Sequence, residues 1–154
     1  MKTNIIILLI IFATTSNILC DEPVQTKPNL DGYQVFTWGK TVRENNEASL
    51  TAEVGKNIVI RIKSNPTTGY QIFLDNKPTE LESTGIVKPL NLNAEGGSDE
   101  YLVDPHPKGM VGVPGFSYFK FATLKKGEIK LKFVSKQSWN PESAVTLSVN
   151  LTVV

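Results

Sequence analysis

The residues with the most specific chemistry in this chain form the hexapeptide from Asn65 to Tyr70, which reads Asn-Pro-Thr-Thr-Gly-Tyr. Pro66 fixes φ at one corner of a predicted turn, and Gly69 permits positive φ near the other. Thr67 and Thr68 are β-branched, so their hydroxyls and methyls occupy few rotamers. A stiff exposed loop loses little entropy on docking, which suits non-covalent binding in a cleft. The same residue types are also typical of an ordinary well-made turn.

Catalytic chemistry has little to build on in this sequence. The one histidine, His106, lies between two prolines on a predicted loop, and the one cysteine is Cys20. A His/Cys metal site or a Ser–His–Asp triad needs more partners than these. The sequence also lacks a P-loop and a dinucleotide fingerprint. We therefore expect no enzyme activity, no metal and no cofactor.

The start of the chain has the layout of a secretory signal peptide. Lys2 precedes an apolar run from Ile5 to Ala13, which small and polar residues follow. The run is shorter than the roughly 20 apolar residues of a spanning helix. Cleavage could follow Ser16 or Cys20, and a buried N-terminal strand is the alternative reading. We expect a signal peptide over residues 1–20, a polar leader over 21–32 and one domain over 33–154.

Charge and cysteine content limit the partners of the mature chain. Taking Lys2 from the 16 basic residues leaves 15, equal to the 15 acidic residues. This balance argues against nucleic-acid binding, which needs clustered Lys and Arg. If cleavage follows Cys20, the mature chain has no disulfide and depends on its core alone. With no second long apolar segment, we expect no membrane contact after signal removal. We also expect a monomer.

Period-two alternation of apolar and polar residues runs through most of the chain. It predicts strands at 33–38, 49–54, 58–62, 70–74, near 85–93, 118–121, 128–133 and 145–153. Alternation with polar outer faces is typical of antiparallel sheets packed on one side. No helical period is visible. The sequence therefore predicts an all-β fold, an immunoglobulin-like antiparallel β-sandwich of about seven to eight strands.

Three loops are candidates for a shared binding surface: 65–69, 104–115 and 135–142. Loops from alternating strand ends gather at one end of a sandwich. The second loop is dense in proline and glycine, which prevents regular structure, and long irregular loops are often functional. The third carries Trp139, which either folds back onto the core or is displayed as a binding anchor. Separately, Asn150-Leu151-Thr152 is a glycosylation sequon on a predicted strand, with Asn150 facing out.

These three loops together resemble those of the chagasin family, inhibitors of papain-like cysteine peptidases. The family's N-P-T-T-G-[YF] loop is intact here as Asn65 to Tyr70. Its G-x-G-G loop is similar to Gly112-Val113-Pro114-Gly115, with Pro114 in place of a glycine. Its R-P-W loop corresponds to Gln137-Ser138-Trp139, which keeps only the tryptophan.

The resemblance implies an inhibitor whose three loops plug the cleft of a papain-like, cathepsin L-like peptidase. Residues 65–69 would enter the catalytic centre, with Thr67 and Thr68 making polar contacts while Pro66 and Gly69 hold the shape. Loop 112–115 would lie on the non-primed side, and Trp139 would pack on aromatic surface on the primed side. Inhibition would be reversible and non-covalent.

One other function is compatible with the same residues, and a third is weak. A secreted immunoglobulin-like binding or adhesion module could use the same loops for another ligand, whereas a secreted hydrolase lacks the catalytic groups it would need. A signal peptide routes the chain into the secretory pathway, and from there out of the cell or into lysosome-like vesicles. The target could thus be a host's peptidase or the producer's own.

Overall fold

The computed structural model describes residues 29–98 and 100–154 of the 154-residue chain. These residues form two β-sheets and one short α-helix. The predicted signal peptide and most of the predicted leader lie outside the described residues. Within the described part of the chain, no helix is long and apolar enough to cross a membrane.

The strands, numbered in chain order, divide into two sheets. The first sheet contains β1 (Tyr33–Trp38), β3 (Asn57–Ser64), β5 (Val87–Pro89), β6 (Glu100–Val103) and β7 (Gly115–Thr123). Its order is β1-β3-β7-β5, and β6 also pairs with β7. The second sheet contains β2 (Asn46–Ala52), β4 (Tyr70–Leu74), β8 (Gly127–Gln137) and β9 (Asn140–Val153), in the order β2-β9-β8-β4. The all-β sandwich predicted from the alternation is confirmed.

Two edge pairs depart from the antiparallel pattern that the sequence predicted. β1 runs parallel to β3, and β2 runs parallel to β9, whereas the other strand pairs are antiparallel. Between β1 and β2 the chain passes from the first sheet to the second, and Val42 in this crossing is buried. Because neither strand turns back on a sequence neighbour through a tight hairpin, no turn imposes the antiparallel direction on either of them.

The core lies between the sheets and is formed by the apolar positions of the alternating pattern. Ile58, Ile60 and Ile62 of β3 are all buried. Across the sandwich, the ring of Phe119 on β7 meets that of Phe133 on β8 edge to face, with centroids 4.9 Å apart. Edge-to-face aromatic pairs contribute beyond their buried area. The remaining buried positions of β8 and β9 face the same core: Leu131, Leu147, Val149, Leu151 and Val153.

The prediction that the chain has no helix is wrong for residues 78–84, which form α1 (Pro78–Thr84). The helix buries only Leu81, so it has no apolar stripe that a period could reveal. Its ends carry local signals instead. Pro78 occupies the first turn, and Gly85, with φ of 66°, caps the other end through its N–H to the Glu82 carbonyl.

The middle and the last loop also differ from the sequence prediction. The strand expected near 85–93 shrinks to β5, Val87–Pro89. The loop expected over 135–142 is a two-residue turn, Ser138–Trp139, between β8 and β9. Pro141 lies inside β9 because the β8–β9 register is interrupted between Ser135 and Gln137, and a proline is tolerated where the ladder is broken.

Replacing Phe119 by Ala tests the core described here. Because Phe119 is fully buried against Phe133, we expect a loss of about 3–5 kcal/mol in the free energy of unfolding. Phe116→Ala, on the same strand but half-buried on the outer face, is the matched control and should cost clearly less. Denaturant unfolding measures both, and equal losses would contradict the assignment of the core face.

Candidate functional site

The strand ends bring the three predicted loops to one end of the sandwich. The hexapeptide leaves β3 and enters β4, the 104–114 loop joins β6 to β7, and the 138–139 turn joins β8 to β9. Strand pairing sets them side by side, since Ser64 pairs with Gly115 and Tyr70 pairs with Gln137. The expectation that these loops share one end is therefore met by the topology alone.

The hexapeptide is a tight, internally bonded turn that we call the wedge (residues 65–70). Residues Pro66–Thr68 form one turn of 3₁₀ helix, and Gly69 ends it with φ of 81°. The Asn65 side-chain oxygen accepts from the Thr67 N–H at 3.3 Å and from the Thr67 hydroxyl at 2.5 Å. The Asn65 carbonyl accepts from the Thr68 N–H at 3.1 Å and from the Thr68 hydroxyl at 2.7 Å. Asn65 thus closes the turn from both its side chain and its backbone.

The same Asn65 side chain also connects the wedge to the 104–114 loop. Its Nδ2 donates to the carbonyl of Gly112 at 2.9 Å. Gly112 has φ of 71°, the left-handed region that favours glycine, and a Cβ there would lie 3.8 Å from the Thr67 hydroxyl oxygen. The Asn65 side chain therefore fixes the two loops relative to one another, because its oxygen accepts within the wedge and its nitrogen donates to the 104–114 loop.

On the other side, the 138–139 turn is fixed to the wedge by a hydrogen bond and by a ring contact. Gln137 Nε2 donates to the Thr68 carbonyl at 3.1 Å. The Trp139 indole packs on Gly69 so closely that a Cβ on Gly69 would lie 1.9 Å from Cη2. Gly69 is thus required twice, for its positive φ and for the space that the indole occupies.

The exposure of the loops divides the predicted site residues into an outer and an inner set. Thr67, Thr68, Gly112, Ser138 and Trp139 are exposed. Asn65, Pro66, Gly69, Tyr70, Val113, Pro114 and Gln137 are half-buried, and Gly115 is buried. Trp139 is 69% exposed, which answers the open question of its position in favour of display. Gly115 serves the fold, because a Cβ on it would lie 2.1 Å from the Leu102 carbonyl oxygen on β6.

Two exposed apolar side chains were missed by the sequence reasoning. Met110 is 57% exposed and Val111 is 91% exposed at the tip of the 104–114 loop, directly before Gly112. Their backbone is held by a turn in which the Met110 N–H donates to the Pro107 carbonyl at 3.3 Å and Gly109 has φ of 85°. The one signal for their exposure in the sequence is that they lie between Gly109 and Gly112, in a loop rich in proline and glycine.

Behind the loops, polar contacts support the end of β3. The Lys63 ammonium lies 3.4 Å from the Asp104 carboxylate. The Tyr101 hydroxyl donates to the Ser64 carbonyl at 3.5 Å. Burial raises the pKa of the Tyr101 phenol, and the Asp104 charge adds to the rise, so the phenol stays neutral. These contacts anchor the residue that precedes the wedge.

The other residues singled out in the sequence, His106 and Asn150, lie on the surface outside the three loop contacts described above. His106 is exposed, and its Nδ1 lies 2.8 Å from the Asp104 carbonyl. In residues 29–98 and 100–154, no group of three or more His, Cys, Asp and Glu side chains could hold a metal ion. The Asn150 side chain of the sequon lies on the outer face and donates to Glu47 at 2.8 Å. That bond, together with Lys130, lowers the pKa of Glu47.

Comparison with protein families shows the family to which the chain belongs. The model of the chagasin family of peptidase inhibitors matches residues 51–153, which contain all three loops. The chain belongs to the chagasin family. This confirms the resemblance seen in the sequence, and because the family is one of inhibitors, it also confirms that the protein is not an enzyme.

Curated relatives agree with this assignment, and solved structures share the fold. Amoebiasin-1 of Entamoeba histolytica is 30% identical over 113 residues, which is 70% of this chain and 94% of the relative. Amoebiasin-2 of the same organism is 27% identical and covers 71% of this chain and 78% of its own length. The solution structure of amebosin is 25% identical with a TM-score of 0.51, covering 78% of this chain and 96% of that one. PbICP-C, solved in complex with falcipain-2, shares the fold at a TM-score of 0.52 and 17% identity, covering 79% of this chain and 99% of that one.

Replacing Gly69 by Ala tests the contact between the wedge and Trp139. Gly55→Ala is the matched control, because Gly55 has φ of 79° but open space around its Cβ position. We expect Gly55→Ala to cost about 1 kcal/mol of backbone strain, and Gly69→Ala to cost more because the indole must also move. Denaturant unfolding gives both costs, and the NMR shift of the Trp139 indole N–H reports the displacement. An unchanged indole shift in Gly69→Ala would refute the contact.

Proposed function

We propose that the protein is a reversible inhibitor of papain-like, cathepsin L-like cysteine peptidases, and that its three loops block the active-site cleft. The observation that carries this proposal is the joining of the three loops into one surface by Asn65, Gln137 and Trp139. Family membership supports the inhibitory role, and the complex of PbICP-C with falcipain-2 supports the class of target.

The hydrogen-bonding state of the wedge fits the centre of such an enzyme. The N–H groups of Thr67, Thr68 and Gly69 and both threonine hydroxyls donate to acceptors within the wedge. Toward a partner, Thr67 and Thr68 therefore present methyl groups and oxygen lone pairs. A thiol peptidase offers the complement, because its thiolate is paired with a protonated histidine and its oxyanion hole consists of N–H donors. The polar contacts expected of the threonines are thus contacts as acceptors.

The same geometry explains how the wedge would resist cleavage. Residues 66–68 are wound into a 3₁₀ turn with Pro66 at its start, unlike an extended substrate. The turn is held by bonds that a bound enzyme would have to break before a peptide group reached the thiolate. It carries no electrophile, so no covalent bond to the enzyme is expected. A rigid loop also loses little freedom on docking, which favours slow release.

The flanking loops would supply apolar contact on either side of the wedge. Trp139 would pack on the primed side, and the 112–115 loop, extended by Met110 and Val111, would lie on the non-primed side. Exposed aromatic and methionine side chains are typical anchors of protein interfaces. A wedge with two flanks can bury roughly 800 Å² on each partner, the usual size for protease–inhibitor pairs.

The route of the protein to its target is part of the same proposal. Residues 1–20 would act as a signal peptide, and the inhibitor would work as a monomer outside the cell or in lysosome-like vesicles. The apolar run from Ile5 to Ala13 after Lys2 supports this route. N-terminal sequencing of the protein secreted by a eukaryotic host tests it, and a retained N-terminus would contradict it.

Titration of papain with the purified protein tests the proposed inhibition. We expect near-stoichiometric loss of papain activity that returns after dilution or displacement by substrate. Trypsin is the control enzyme and should keep its activity, because the wedge has no basic residue for a trypsin pocket. Full papain and cathepsin L activity at excess protein would overturn the proposal and leave a binding or adhesion module as the function.

Replacing Trp139 by Ala tests the anchoring role of the indole. Loss of a buried interface tryptophan costs about 2 kcal/mol or more, so we expect Ki for papain to rise about thirtyfold. Leu124→Ala removes another exposed apolar side chain, at the far end of β7, and serves as the matched control with an unchanged Ki. Equal Ki values for both variants would exclude Trp139 from the interface.

A further inference from the structure

The tip of the 104–114 loop displays a side chain whose chemistry the proposed inhibition does not use. Met110 is 57% exposed, and its neighbour Val111 is 91% exposed. The sequence contains two methionines, and the other is Met1, inside the predicted signal peptide. A mature chain would therefore carry a single thioether, and it would stand two residues from the Gly112 carbonyl to which Asn65 is bonded.

A displayed thioether reacts with peroxides. The Met110 sulfur attacks one peroxide oxygen, an S–O bond forms while the O–O bond breaks, and the other oxygen leaves as water after taking up the hydroxyl proton. Sulfur is oxidised by two electrons and the peroxide is reduced by two. The product, methionine sulfoxide, is polar, and methionine sulfoxide reductases convert it back to the thioether.

From these observations we propose that Met110 is a reversible oxidation site that switches the inhibitor between a tight-binding and a weak-binding form. The proposal rests on the proposed function, in which the tip of the 104–114 loop lies against the peptidase. An apolar thioether contributes to such a contact, whereas a sulfoxide would have to be desolvated there without an assured partner. The Asn65–Gly112 bond keeps the backbone of the tip beside the wedge, so the modified side chain stays next to the proposed contact.

The experiment compares each protein with its own peroxide-treated sample. The protein is treated with hydrogen peroxide, the peroxide is removed with catalase so that papain is not itself oxidised, and Ki is measured. Mass spectrometry of the tryptic peptide 109–120 checks that Met110 has gained one oxygen. We expect Ki of the wild-type protein to rise about tenfold, and to return after treatment with sulfoxide reductase and a thiol.

Two variants separate Met110 from other oxidisable groups. In Met110→Leu, treated and untreated samples should have the same Ki, because no thioether remains at the tip. Adding Leu124→Met to that variant places a thioether of similar exposure at the far end of β7, and its oxidation should also leave Ki unchanged. An equal rise in Met110→Leu would assign the effect to another group, such as Trp139, and overturn the proposal.

The proposal and the proposed function fail in different ways. If untreated protein inhibits neither papain nor cathepsin L, the proposed function is wrong. If untreated protein inhibits, and protein with fully oxidised Met110 inhibits equally well, the oxidation switch alone is wrong.

Discussion

The amide of Asn65 is the contact on which the rest of the site depends. The side-chain oxygen of Asn65 accepts hydrogen bonds from Thr67, and the side-chain nitrogen donates one to the Gly112 carbonyl. The backbone carbonyl of Asn65 accepts a hydrogen bond from the Thr68 hydroxyl. A hydrophobic side chain could fill the same space but could not make the bonds to Thr67 and Gly112, so the wedge and the 104–114 loop would lose the hydrogen bond that joins them. Gln137 and Trp139 complete the surface from the other side. The result is a surface on which the three loops are already joined in the free protein.

The sandwich contributes direction and rigidity. Long loops that are held only at their ends shift easily. Here each loop begins and ends at a paired strand, and contacts between the loops hold them as well. Ser64 opposite Gly115 and Tyr70 opposite Gln137 place the three loops in register, and the core that includes the Phe119–Phe133 contact packs the two sheets together. Folding thus places the loops relative to one another, so little conformational entropy remains to be lost when the inhibitor binds a partner.

The sequence predicted the parts of this molecule that depend on local pattern. Alternation located the buried faces of β3, β8 and β9, and the Pro66–Gly69 spacing located the wedge. It could not show α1, whose single buried residue leaves no period, or the parallel pairs at the edges, which depend on where the chain crosses between sheets. The candidate site residues were predicted by type, but the contacts between them were not. A hydrogen bond from Asn65 to Gly112 spans 47 positions in the chain, and no spacing rule predicts it.

A crystal structure of the protein bound to papain tests the central claim most directly. The account predicts that Thr67 and Thr68 lie over the catalytic cysteine and histidine, that their oxygens accept hydrogen bonds from the enzyme, and that the Asn65–Gly112 and Gln137–Thr68 bonds persist. The loop backbones should superpose on the free protein within about 1 Å, as in pre-organised inhibitors. A complex in which the wedge lies outside the cleft, or unwinds to enter it as an extended strand, would contradict the account.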